Sequence, residues 1–372
     1  MLSVAFAPDG KSILSTTGDE IKVWGSEPRP MASIIETRQE WGWPAISPDG
    51  KWLVTIRGVV AGEPYSESES AKVWDLASRQ QRFYLVHKDR QPLPPVFSPD
   101  GKLFVIGGEG SNRVVSVWEK ALWDNATGPL KPMVSFTNEF EVGSINFSPD
   151  GKIMAMAGMA FDPERRSDAT NRLAFREVGS WRKLRILDGA GAGATDKAGA
   201  ATVAFSNDGS LLAVGYRDGW VRLWDFKHQR LIKELKVDDD DHFGMGVSFS
   251  PNGRWLASVS VGGPARVVFF DLTDLKHIRL ALTTKAHAGN SWSAIFTPDS
   301  RSLVTSGGDG LIKFWNLETL KIALTLEQNA GLGAFLSLSR DGNLLVSQAA
   351  DGMVKLWPAA PIGEIPKDKL HQ

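Results

Sequence analysis

Residues 203–225 read Val-Ala-Phe-Ser-Asn-Asp-Gly-Ser-Leu-Leu-Ala-Val-Gly-Tyr-Arg-Asp-Gly-Trp-Val-Arg-Leu-Trp-Asp. A short apolar run, Val203-Ala204-Phe205, meets the turn Ser206-Asn207-Asp208-Gly209. A second run follows at Leu211-Leu212-Ala213, and a third, Val221 to Asp225, ends on Trp224 and a carboxylate. The turn recurs with Pro in second place as Ala7-Pro8-Asp9-Gly10-Lys11, Ser47-Pro48-Asp49-Gly50-Lys51, Ser98-Pro99-Asp100-Gly101-Lys102 and Ser148-Pro149-Asp150-Gly151-Lys152. Weaker copies stand at Ser250-Pro251-Asn252-Gly253, Thr297-Pro298-Asp299-Ser300 and Ser339-Arg340-Asp341-Gly342. The eight copies are 40, 51, 50, 58, 44, 47 and 42 residues apart at the Asp/Asn position. Pro presets a negative φ, Asp or Asn suits the next place, and Gly then takes φ > 0.

Apolar strands flank each turn, as in Ile145-Asn146-Phe147 before it and Trp52-Leu53-Val54 after it. The third run ends on Trp24, Trp74, Trp224, Trp315 and Trp357, with Phe175 and Phe270 at the same place in copies four and six. A fourth, more variable strand follows in most copies, such as Leu231 to Leu235. Four short strands per repeat predict an all-β protein, a β-propeller of four-stranded antiparallel blades. A blade cannot cover both faces of its own sheet, and stacking blades around an axis does so. Eight turns favour eight blades, with seven as the alternative. A helical turn is the one departure expected, within 162–177.

The unit V-x-F-S-P-D-G-K-x-L…D-G-x-V-x-L-W-D resembles the WD40 repeat over residues 2–357, with some similarity to TolB-type propeller repeats. The resemblance implies a structural tetrad in copy seven, formed by His287, Thr305, Asp309 and Trp315. Copies one and eight keep Ser15, Asp19, Trp24 and Ser347, Asp351, Trp357 but lack the His, and copy five keeps Asp218 and Trp224. Copies three, four and six lack most of the tetrad, so packing is expected to hold their blades. The propeller is assigned to 1–357 and a Pro-containing tail to 358–372. The last blade is expected to lack its outer strand. Residues upstream of Met1 would supply that strand.

Composition narrows the function. Lys plus Arg is 42 and Asp plus Glu 43, a balance that lacks the basic footprint of a nucleic-acid binder. Cys is absent, which removes disulfides, thiolate metal sites and a Cys nucleophile. No apolar run reaches 18 residues, and the opening residues do not read as a secretory leader. The six His residues show no metal-ligand spacing, and no G-x-S-x-G elbow occurs. No catalytic residue, metal or cofactor is expected.

In the resemblance, links between blades and links between second and third strands share one face, the top. Insertions fall there, at 57–70, 158–171 and 236–246. The candidate partner-binding residues are Trp41, Trp43, Arg57, Tyr65, Arg165, Trp220, Asp239, Asp240 and Trp292. Aromatics amid mixed charge suit an interaction surface, although the same Trp residues can plug gaps between blades. The expectation is a cytoplasmic, non-catalytic scaffold for a protein or peptide, with the Asp run favouring a basic one. Neither nucleic acid nor a membrane is expected as partner. The rivals are an enzyme or small-ligand binder using the central channel, and the docking part of a longer polypeptide.

Overall fold

The computed structural model describes residues 4–6, 12–17, 20–25, 42–56, 71–87, 95–108, 113–160, 170–188, 200–237, 244–261, 265–328, 333–349 and 352–358. Every sheet is antiparallel and follows chain order. Six sheets have four strands and span residues 44–85, 96–137, 141–188, 200–236, 244–285 and 291–327; they are blades I to VI. Blade VII, residues 334–358, has three strands among the described residues. From blade III through blade VII and on to blade I, the first strand of each blade lies beside the first strand of the next, so these strands face the axis.

The Ser-Pro-Asp-Gly turn explains why each blade begins to fold locally. In blade III the Ser148 hydroxyl donates to Asp150 Oδ1 at 2.6 Å and accepts the Ile153 amide at 3.0 Å. Asp150 Oδ1 also accepts the Lys152 amide at 3.1 Å. The Gly151 amide donates to the Ser148 carbonyl at 2.8 Å, and Gly151 takes φ +70°. All seven ring turns repeat this Ser/Thr–Asp/Asn pairing. The serine therefore acts as a second cap, closing the turn onto the following strand. In four of the turns the serine hydroxyl leads in holding the Asp carboxyl below its ordinary value.

Packing sets the number of blades at seven, the alternative to the favoured eight. Seven apolar clusters each bridge two neighbouring blades. The last joins Ile46, Leu53 and Trp74 of blade I to Val346, Val354 and Leu356 of blade VII. At this seam the Ile46 amide donates to Ser337 Oγ at 3.0 Å. Similar bonds link interior blades, from Val203 N to Ser144 Oγ at 3.3 Å and from Leu336 N to Ser293 Oγ at 3.1 Å. A sheet cannot fit between groups in direct hydrogen-bond contact. The three-stranded sheet of the first repeat, Val4–Phe6, Ser12–Thr17 and Glu20–Gly25, thus stands outside the closed ring. Counting turns overcounts blades by one, because closure depends on which faces meet.

Within 162–177, Thr170–Glu177 is the third strand of blade III rather than a helical turn, and 161–169 lie outside the described residues. Phe175 and Phe270 occupy the Trp position as anticipated and are buried. Among the described residues no helix is long and apolar enough to cross a membrane.

Candidate functional site

The four tetrad residues of blade VI come together. Trp315 Nε1 donates to Thr305 Oγ1 at 2.9 Å, and Thr305 Oγ1 lies 3.0 Å from His287 Nε2. His287 Nδ1 is 2.8 Å from Asp309 Oδ1. The Ala288 and Leu311 amides donate to Asp309 at 3.1 and 3.2 Å. One proton arrangement satisfies every atom: the indole donates to the hydroxyl, the hydroxyl to Nε2, and protonated Nδ1 to the carboxylate. Burial lowers the His287 pKa against the opposing pull of Asp309, which keeps the ring neutral. Burial raises the Asp309 pKa, but the His287 bond and the two amides outweigh it. Gly307 makes room, since a Cβ there would sit 2.2 Å from His287 Cγ.

Other blades rebuild this network from different residues. In blade VII Trp357 Nε1 donates to Ser347 Oγ at 2.8 Å, and Ser347 donates to Gln328 Oε1 at 2.6 Å. Gln328 thus stands where blade VI has His287. In blade II His87 Nδ1 lies 3.1 Å from Ser116 Oγ, which in turn meets Ser135 Oγ at 3.0 Å. Blade I keeps a two-residue version, Trp74 Nε1 to Thr55 Oγ1 at 3.0 Å. Sequence reading missed Gln328 and His87. A usable signal existed: both stand eleven residues before their turn's Ser, and His287 stands ten before Thr297.

Blade IV has a buried ion cluster instead. Arg222 reaches Asp218 Oδ2 at 3.1 Å and Glu234 Oε1 at 2.8 Å, with its guanidinium 4.2 Å above the Tyr216 ring. Burial pushes the Tyr216 hydroxyl up to about 12, against the lowering effect of Arg222. Asp218 Oδ1 accepts the Trp220 amide at 3.1 Å, which ties Trp220 to this cluster. The Trp220 indole is half-buried, with Lys236 Nζ 5.8 Å from its ring.

Trp43 is also half-buried, and its ring packs against Phe335 at 4.9 Å across the seam between blades I and VII. Strand direction puts Trp43 and Trp220 on the same end of the ring. They are not neighbours, because three blades separate the seam from blade IV in either direction. Trp292 lies in the strand Ser291–Phe296, and its side chain falls outside the described residues. So do Trp41, Arg57, Tyr65, Arg165, Asp239 and Asp240. Among the described residues no three His, Asp or Glu side chains could hold a metal ion together.

The WD domain, G-beta repeat model matches residues 193–225, 279–316 and 333–358, which overlap blade IV, the last strand of blade V with most of blade VI, and blade VII. The Drosophila melanogaster protein LST8 homolog is 25% identical over 252 residues, covering 59% of this chain and 77% of that protein. MST50-interacting protein 11 of Pyricularia oryzae is 30% identical over 122 residues, covering 31% of this chain and 37% of that protein. Small ribosomal subunit protein RACK1 of Neurospora crassa is 28% identical over 121 residues, covering 31% and 36%. The chain thus carries WD repeats in part of its length, and its described residues form a seven-bladed β-propeller with the tetrad in blade VI.

Proposed function

We propose that this propeller is a non-catalytic scaffold that holds a protein or peptide partner on its top face, in the cytoplasm. The observation that carries this reading is a rigid closed ring presenting half-buried aromatics at its upper end. Half-buried Trp side chains keep a fixed orientation and still offer apolar area, as interface anchors do. One relative is named for an interaction with another protein, which favours the same reading. The near-zero net charge favours a protein surface over nucleic acid or a membrane. A partner bearing Lys or Arg would complement the Asp238–Asp241 run.

Trp43 and Trp220 lie on opposite sides of the channel mouth, so a partner touching both must bridge it. The test is capture of a cellular partner by the wild-type chain, by Trp43→Ala and Trp220→Ala singly, and by the double variant. Each single change is expected to weaken binding about tenfold, with additive free energies because the sites are distant. Unaltered capture by the folded double variant would move the binding surface away from these two residues.

A further inference from the structure

The outer strand of each blade is an edge, and this molecule already extends one of them. In blade I the Leu130 amide donates to the Tyr84 carbonyl at 2.9 Å, and the Val86 amide donates to the Leu130 carbonyl at 3.0 Å. A segment of blade II thus covers the end of the outer strand Gln80–Leu85. Other edges are blunted by charge within the strand, at Arg185 in blade III and at Lys233 and Glu234 in blade IV. Blade II offers only four residues, Val134–Thr137. Blade VI ends its outer strand in Lys321 and Glu327, whose charges cancel.

Blade V has no such protection. Its outer strand, Arg279–Lys285, carries a cation at each end, no charge between them and no buried residue. The Ala286 amide donates inward to the Ala265 carbonyl at 2.8 Å, so alternation turns the backbone groups of Thr283 and Lys285 outward. Leu280 is 54% exposed, and Leu275, in the preceding turn, 40%. The nearby carboxylates are engaged: Asp271 pairs with Arg254 at 3.6 Å, and Asp274 meets His277 Nδ1 at 2.8 Å. No ion pair engages Lys276, Arg279 or Lys285 among the described residues. Residues 244–285 hold five Lys and Arg against two Asp, in a chain whose net charge is −1. This edge is therefore open, flanked by apolar side chains and set among cations.

We infer that the outer strand of blade V is a docking edge for an extended segment of a protein partner with carboxylates toward both of its ends. The segment adds as a fifth strand. Its backbone bonds the outward groups of Thr283 and Lys285, and its carboxylates meet Arg279 and Lys285. Apolar side chains between them lie against Leu280. Main-chain bonds supply the attachment, and the two cations select an acidic segment over a neutral or basic one. A second copy of the same strand is disfavoured, because antiparallel pairing brings the cationic ends together. The edge lies on the outer wall, apart from the channel mouth where Trp43 and Trp220 stand.

Isothermal titration calorimetry of the full chain at low salt tests this, with acetyl-Glu-Val-Thr-Val-Thr-Val-Glu-amide as the probe. The expected Kd is about 100 µM, the weak range of a small interface. The counterpart with Lys at both ends should bind about tenfold more weakly or worse. Arg279→Glu combined with Lys285→Glu should reverse that preference, which a misfolded chain cannot do. Thr283→Pro removes one outward donor where an edge strand tolerates Pro, and should weaken the acidic peptide about tenfold. If that variant fails to fold, a probe methylated at two successive central backbone nitrogens tests the same bonds on the wild-type chain, since one of the two must face the edge. An acidic peptide that does not bind at about 2 mM overturns the proposal, as does a preference that the charge reversal leaves in place. Binding unchanged by a folded Thr283→Pro, or by methylation of the probe, overturns strand addition. A dimer in sedimentation that the charge reversal dissolves overturns it too, by giving the edge to a second copy.

Discussion

At the residue scale, the tetrad of blade VI is a directional chain in which each buried polar atom has one proper partner. Thr305 is its hub, since it accepts from Trp315 and serves His287. Thr305→Ala leaves a buried indole N–H and a ring nitrogen unmet and should cost about 2–4 kcal/mol, read from urea unfolding. His287 makes the network sensitive to pH. Burial lowers its pKa in the folded state below the ordinary imidazole value of 6.5, so the folded form binds fewer protons than the unfolded one. The stabilisation is therefore complete above pH 6.5 and is lost as pH falls through the lowered folded value. His287→Gln borrows the residue that blade VII uses at this place. It should flatten the fall in melting temperature between pH 7 and pH 5 (about two units around the ordinary His value). An unchanged slope would mean that another group titrates there.

At the element scale, one device shapes every blade of the ring and a second recurs in five of them. The first is the Ser-x-Asp-Gly turn, in which one hydroxyl and one carboxylate capture the next strand's amides. The second is an irregularity in the pairing of third and fourth strands, placed just before or at the aromatic that ends the third strand. The tight turn after it puts a non-glycine residue in the left-handed region at Arg79, Trp181, Gln229 and Leu320. Arg79 is exposed and has φ +59°, so its side chain contributes little there while its Cβ is strained. Arg79→Gly should raise stability by about 0.5–1 kcal/mol, the strain relieved exceeding the added chain entropy. Differential scanning calorimetry of the two chains measures it, and a lower melting temperature would refute the strain argument.

At the scale of the whole molecule, the ring is as strong as its closing seam. That seam uses the same materials as the interior interfaces: an apolar cluster and one backbone-to-serine bond. The chain has no cysteine, so a pair introduced at Ile46→Cys and Ser337→Cys has no native thiols to compete with. Oxidation should join them and give a compact band on a denaturing gel, because the native atoms there are in hydrogen-bond contact. An eight-bladed ring would insert another sheet about 10 Å thick, and no cross-link would form.

The repeat, the strands, the turns and the tetrad of copy seven were legible in the sequence, because each depends on residues within one repeat. His287, Thr305, Asp309 and Trp315 span fewer than thirty positions and meet inside one sheet or at its entrance. Gln328 and His87 were less legible, since a different residue type performs the same hydrogen-bonding task. The number of blades was not legible at all. It rests on a contact between Ile46 and Ser337, 291 residues apart, and turn counting carries no information about which sheet faces the last one. The opposition of Trp43 and Trp220 across the channel follows from that closure. Arg176 was not legible either: an ordinary strand residue in the sequence, it becomes a buried cation only when Phe136 and Trp181 close around it. Short-range hydrogen bonding and side-chain alternation are written in consecutive residues, whereas the meeting of distant surfaces is settled by packing alone.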